Sequence, residues 1–201
     1  MRIMHAGQII EEMDMDLLAF SIAAFIGLHL IPYFAKSFRA GAQSTIGMLP
    51  YKGLFALSVA SALVGIILGW MDSEPDFLYA PPAWGMHATP VFVLVGFVLF
   101  FASNAPTNIK RGIRHPQMTG VFLWSIGHLL SNGEDRSVLL FGSFAIWAVL
   151  AILGANARDG VWIKPEKQPF FKDVITVLIG VIAFAAFMYF HETIIGVRAY
   201  P

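Results

Sequence analysis

The chain has no cysteine. That excludes disulfides, iron-sulfur clusters and thiolate ligation, so any metal must be held by histidine, carboxylate or a macrocycle. Charge is also scarce: Asp, Glu, Lys and Arg make up 13% of the 201 residues, and 13 basic residues balance 13 acidic ones. A net charge of zero supplies no basic surface for neutralising phosphates, so no nucleic acid is expected as a partner. No aspartate or glutamate is expected at hydrocarbon depth, which removes the orienting acid of Ser-His-Asp chemistry. Clustered His-x-x-His or Glu-x-x-His pairs, the donors of di-iron sites, do not occur. Internal repeats and a segment resembling a separate soluble domain are missing as well. The opening MRIMHAGQIIEEMDMD lacks a basic n-region, and no Ala-x-Ala site directly follows the first apolar run. That run is expected to be a retained span.

What the chain has is apolar length. Hydrophobic residues make up 57% and mean hydropathy is +0.69, more apolar surface than a soluble domain of this size can hide. Runs able to cross a hydrocarbon core of about 30 Å read as Leu17 to Ala35, Tyr51 to Met71, Thr89 to Ala105, Ser137 to Asn156 and Val174 to Ile194. A sixth, Pro116 to Ser131, covers only about 24 Å as a helix. Pro116 nevertheless suits a first helical turn and Asn132-Gly133 a stop. Thr89-Pro90 reads as a similar start, and breakers such as Gly41, Pro50, Pro75 and Pro165 fall between the spans. The expected fold is all-α: a polytopic membrane bundle of six transmembrane helices, one of them short, over residues 17–197. Residues 1–16 form an extracytoplasmic N-terminal segment, and the lipid bilayer is the first partner.

Charge placement tests this count, because lysine and arginine gather on the cytoplasmic side of bacterial-type membrane proteins. With the N-terminus outside, six spans put Lys36, Arg39, Lys52, Lys110, Arg111, Arg114, Arg158, Lys164, Lys167 and Lys172 inside. Only Arg2, Arg136 and Arg198 stay outside, and five spans would break the alternation. The expectation is a bacterial inner-membrane protein with both termini extracytoplasmic. Ser61, Gly65 and Gly69 form a small-residue stripe that lets another helix approach. Trp70, Tyr79 and Trp84 read as interfacial anchors.

Of six histidines, His5, His87 and His191 fall in the outer tail or near the outer ends of spans and read as solvated. His115 reads as a cap or headgroup contact at the start of the short span. His29 and His128, in FIGLHLIPYF and FLWSIGHLLS, lie inside the hydrocarbon, where an imidazole needs a cavity or a partner helix. Their depths, about 9 Å and about 18 Å from the inner side, differ by no more than tilt accommodates. Two neutral imidazoles on facing helices suit a b-type haem, so His29 and His128 are the candidate metal ligands; hydrogen bonds to neighbouring helices are the plainer alternative. A ligating histidine donates its second nitrogen to an oxygen, and Ser125 and Ser131 flank His128 at three-residue spacing. Lys36 and Arg114 are candidates for contact with haem propionates.

Several stretches together carry a resemblance: the first histidine-bearing span, Tyr51-Lys52-Gly53-Leu54-Phe55, the Asn108 to Arg114 loop, and Arg114-His115-Pro116-Gln117-Met118-x-Gly120 continuing to Trp124-Ser125-Ile126-Gly127-His128. The chain resembles the NnrU membrane proteins, which are associated with bacterial denitrification and are similar to plant 15-cis-zeta-carotene isomerase. The resemblance implies an integral membrane fold. From the isomerase branch it implies haem b on the histidines matching His29 and His128, and cis-to-trans isomerisation of a lipophilic polyene arriving from the bilayer. That branch has a cysteine as alternative iron ligand where this chain has Ser125, a poor iron ligand, which argues against the same ligand exchange here. The alternative role is a non-catalytic accessory protein of nitrite and nitric oxide respiration. Arg-His-Pro-x-x-x-Gly followed by Trp-Ser-Ile-Gly also looks like membrane methyltransferases and sterol reductases, but the paired glutamates, Phe-Gly and tyrosines of their cytoplasmic tail have no counterpart here.

Overall fold

A computed structural model describes residues 6–199, with side chains from Met15 onward. Arg2 and His5 lie outside the described residues. The helices are α1 (Ala6–Phe34), α2 (Lys36–Ile46), α3 (Met48–Asp72), α4 (Gly85–Ala102), α5 (Ile109–Gly112), α6 (Pro116–Leu129), α7 (Asp135–Ser137), α8 (Ser143–Asp159) and α9 (Phe170–Ile195). A π-helical turn, Val138–Gly142, joins α7 to α8 as one rod, Asp135–Asp159. Among the described residues no strand forms beyond one isolated bridge.

Five of these helices are long and apolar enough to cross a membrane. Helix α6, with 14 residues, reaches only about 21 Å, yet it is threaded through the bundle between α4 and α8. It starts at one end, where His115 Nε2 lies 2.9 Å from Asn156 Oδ1 of α8. It finishes at the other, where the Tyr79 hydroxyl donates to the Leu129 carbonyl. The helices therefore alternate in direction through six passes, and all ten basic residues expected inside fall at one end, called lower below. The upper end carries the loops after α3 and α6.

Packing runs in the order α3, α1, α8, α6, α4, α9, a curved row with α3 and α9 as its two edges. Without a hydrophobic force between helices in lipid, small residues that admit close backbones set the seams. A Cβ on Gly96 would lie 2.9 Å from the Gly120 carbonyl oxygen, and one on Gly120 would lie 2.7 Å from that of Gly96, so α4 and α6 touch backbone to backbone. Between α1 and α3, Gly69 sits against the Leu18 backbone and Gly65 against Ser21. Ser61 is exposed; buried Ala62 takes its place in the stripe, one position along the helix.

Both ends are pinned by loops. At the upper end Phe77 and Glu134 pair as an antiparallel bridge, with Leu78 N–H donating to the Gly133 carbonyl at 2.8 Å and Asp135 N–H to the Asp76 carbonyl at 2.9 Å. At the lower end the Asp173 carboxylate accepts from the Thr107 hydroxyl and, at 2.6 Å each, from the Asn108 backbone and side-chain N–H groups. Asn108 also exchanges two bonds, of 2.8 and 2.9 Å, with the Gln168 backbone, which ties the α4–α5 loop to the start of α9.

Three boundaries differ from the sequence reading. The stretch around Gly41 is helix α2, with Gly41 inside it and Phe38, Ala42 and Ile46 recurring at four-residue spacing. None of its residues is buried, so this amphipathic helix lies on the lower surface. Helix α4 begins at Gly85, a turn before Thr89-Pro90: Gly85 fits under the Leu130 carbonyl, where a Cβ has no room, and Pro90 falls inside the helix. Helix α1 already includes Ala6, the first described residue, so the described part of the segment 1–16 is helical.

Gly120→Leu is expected to wedge α4 from α6 and lower stability by about 1–3 kcal/mol, measured by unfolding in mixed micelles. Gly27→Ala, with no heavy atom within 4 Å of the new Cβ, is expected to be neutral or to stabilise by up to about 1 kcal/mol through helix propensity.

Candidate functional site

Each intramembrane histidine makes the same local bond. Nδ1 of His29 lies 2.7 Å from the Phe25 carbonyl oxygen and Nδ1 of His128 lies 2.8 Å from that of Trp124. A carbonyl only accepts, so Nδ1 carries the hydrogen and the neutral ring keeps its lone pair on Nε2. His191, near the upper end of α9, repeats the pattern with the Val197 carbonyl at 2.7 Å. This is the tautomer and the second contact that metal-ligating histidines show.

His128 stands on the last turn of α6, which the upper loops hold. Thr89 donates its hydroxyl to the Gly127 carbonyl at 2.7 Å and contacts the Ser131 hydroxyl. Asn132 Nδ2 donates to the His128 carbonyl at 2.8 Å, and Tyr79 donates to Leu129 and, at 3.0 Å, to Asn132. Burial pushes the Tyr79 phenol up from its ordinary pKa, so it remains a donor. Across the ring, Phe141 stacks on His128 with centroids 4.3 Å apart and planes 19° apart. Phe141 belongs to the π turn, a feature frequent at functional sites.

Two adjoining cavities, of about 240 and 480 Å³, open beside this ring. They share Phe97, Trp124, His128, Asn132, Phe187 and His191. The larger also takes Ile66, Ile67, Trp70 and Met71 from α3 and Ile194 from α9. Among the described residues no packed seam joins α3 to α9. Ile67, Met71 and Ile194 line the cavity and are exposed on the outer surface, so its mouth lies between the two edges of the row. Arg136 stands on the upper wall, donating to the Ser73 carbonyl at 2.7 Å and lying 4.6 Å over the Trp70 ring.

The expected site residues fall in three places. His128 lines both cavities. His29 lines neither: its ring stacks on Phe25 at 4.2 Å and meets Trp147 edge-on at 5.6 Å. Phe25 and Phe144 stand between the two histidines, with centroids of Phe25 and Phe144 5.4 Å apart and those of Phe144 and Trp124 5.9 Å apart. Lys36 and Arg114 are at the lower end, away from the cavities. Ser125 is fully buried, lines neither cavity and has no partner for its hydroxyl, while Ser131 bonds Thr89; the oxygen serving His128 is the Trp124 carbonyl instead. His191 and Trp70 were read as solvated and interfacial, but both line the cavity. Nothing in the sequence reveals the fold-back of Val197 that orients His191.

Fold and site together define a polytopic helical membrane protein with an aromatic, histidine-bearing cavity at one end. The chain belongs to the NnrU family, described as NnrU protein, whose profile matches residues 17–199. Over 101 residues, 49% of this chain and 69% of the other, it is also 32% identical to the fluoride-specific ion channel FluC of Cupriavidus pinatubonensis (strain JMP 134 / LMG 1197). No solved structure matches it.

Ser125→Ala is expected to leave the fold intact and to stabilise it by up to about 1 kcal/mol, because it removes a buried hydroxyl that has no partner. Unfolding in micelles checks this; a loss of more than about 1 kcal/mol would mean that the hydroxyl is bonded.

Proposed function

We propose that the protein binds haem b and takes a lipophilic, polyene-like ligand from the bilayer into its upper cavity, where it carries out cis-trans isomerisation or a redox step. One observation carries the reading: His128, with Nδ1 tied to a carbonyl and Nε2 free, stands on the wall of a cavity of about 480 Å³ whose mouth lies between α3 and α9. That volume is within the range of small-molecule sites.

The donor chemistry fits the cofactor. His128 would hold the iron through Nε2, with a second imidazole from His29, the sequence-based partner, or from His191. Bound there, a haem supplies a redox-active iron beside the aromatic wall. The chain's own residues do the rest: Trp124 and Phe141 fix the His128 ring, the apolar residues of α3 and α9 admit an apolar ligand and exclude water, and Arg136 offers its charge to an anionic group at the rim. The ten basic residues at the lower end support a cytoplasmic lower face in a bacterial inner membrane, with the cavity in the outer leaflet.

Fluoride conduction is the second reading, favoured by the similarity to FluC. Against it, the cavity wall is mostly aromatic and aliphatic and suits a hydrocarbon better than a small, strongly hydrated anion.

Full-length protein purified in detergent from haem-sufficient cells is expected to give a pyridine haemochrome that largely disappears in His128→Ala. A colourless wild-type protein overturns the cofactor reading. Supplied to cells that accumulate a cis-polyene, the protein is expected to shift the isomer profile; haem-loaded protein that leaves it unchanged points to the accessory role in nitrite and nitric oxide respiration. Fluoride-loaded proteoliposomes are expected to leak no faster than empty vesicles on a fluoride electrode, and rapid release would favour the channel reading.

A further inference from the structure

Helix α2 takes no part in the upper cavity. Its 11 residues, about 16 Å of helix, join α1 and α3 through one residue at each end, Ala35 and Gly47, the latter at φ 88°. Contacts with both neighbours hold it at the lower ends of that pair, and none of its residues is buried.

Two rows of side chains run along it. Phe38, Ala42 and Ile46 form one, and Lys36, Ala40 and Ser44 the other. The rows are offset by two residues, about 200° around the axis, so they lie on nearly opposite sides. Phe38 and Ile46 are exposed, and the chain on either side of α2 adds exposed Phe34, Met48 and Leu49. Thr45 borders the apolar row, and its hydroxyl donates to the Gly41 carbonyl at 2.9 Å, so it needs no water.

Charge completes the pattern. Lys36, Arg39 and Lys52 fall in or beside α2, and no acidic residue occurs between Asp16 and Asp72. Elsewhere at the lower end, Asp159 is bonded to Arg158 and Asp173 to Asn108, each at 2.6 Å, while Glu166 lies on the loop between α8 and α9. The cations around α2 therefore have no local carboxylate to neutralise them. An amphipathic helix with bulky apolar residues on one side and cations on the other binds a leaflet interface, and binds it more tightly when the headgroups are negative.

We propose that α2 and the first turn of α3 dock on anionic phospholipid headgroups: Phe38, Ile46 and Leu49 enter the acyl boundary while Lys36, Arg39 and Lys52 take the phosphates. An acidic soluble protein would pair with the cations and leave exposed apolar side chains in water, whereas a leaflet satisfies both. This docking is independent of what the upper cavity holds.

The absence of cysteine allows a single reporter thiol in the full-length protein. Thr45→Cys, beside the apolar row, and Ala40→Cys, on the polar row, are each labelled with a bimane fluorophore. Each is reconstituted into phosphatidylcholine vesicles with brominated acyl chains, with and without phosphatidylglycerol. The label at position 45 is expected to lose more emission than the label at position 40, and phosphatidylglycerol is expected to widen that gap. Lys36→Gln combined with Lys52→Gln, or salt at about 1 M, is expected to remove the added loss due to phosphatidylglycerol and keep the rest. Equal quenching at both positions overturns docking on the leaflet and leaves the apolar row to a protein partner. Quenching at position 45 that ignores phosphatidylglycerol overturns the recognition of anionic headgroups.

Discussion

The meeting of Gly96 and Gly120 is the constraint on which the bundle depends. Helix α6 is too short to cross on its own apolar length, so it is held at the centre by contact with longer neighbours, and backbone contact with α4 is the tightest form this takes. A short central helix ends below the surface, with carbonyls that water cannot easily reach. In hydrocarbon each unsatisfied carbonyl is costly, and the upper loops answer this: Thr89, Tyr79 and Asn132 donate to Gly127, Leu129 and His128 in turn. The same shortness leaves volume above α6 that the loops do not fill. The cavity opens beside this last turn, between α3 and α9, and His128 is the side chain of that turn that lines it.

The π turn is the second device that shapes the site. An extra residue in one turn rotates the side chains that follow, and in the Asp135–Asp159 rod it sets Phe141 flat on His128 while Phe144 and Trp147 continue inward as a row of rings. Phe141 and Phe144 of this row line the larger cavity, whereas Trp147 meets His29, which lines neither cavity.

Much of the architecture was readable because lipid enforces simple patterns. Six passes followed from apolar run length and from the alternation of basic loops, and α6, the pass with the weakest hydropathy signal, rested on charge. Gly65 and Gly69 of the α3 stripe stand in the seam as expected, while Ala62 takes the place of Ser61, since spacing alone cannot tell the two apart. Helix α2 was missed because Gly41 looks like a breaker, while the Phe38-Ala42-Ile46 stripe is too short to stand out. His128 was legible from depth. His191 was not: its depth reads as interfacial, and what brings it to the cavity is a fold-back after α9 joined to a curved row of helices, both properties of three-dimensional packing. The pairing of His29 with His128 rests on matching depth and on resemblance; the Phe25 and Phe144 rings that lie between their levels are visible only in the fold.

The chemistry of the cavity follows from keeping its polar groups uncharged or fully bonded. A lone charge facing hydrocarbon costs many times what a neutral imidazole costs, and an imidazole with one nitrogen already bonded leaves a single lone pair to satisfy. His128 and His191 are built this way, so the polar function they offer the interior is coordination or hydrogen-bond acceptance. The charged groups lining the larger cavity, Arg136 and Glu134, pair with each other, and backbone carbonyls and the Trp70 face share the charge of Arg136. On the proposed reading, an apolar ligand entering between α3 and α9 meets aliphatic side chains first, then aromatic rings and lone pairs, with charge at its outer end. That order suits a molecule that is hydrocarbon along its length and is acted on in its middle, and it disfavours an ion, which would shed its water at the apolar mouth before reaching any donor.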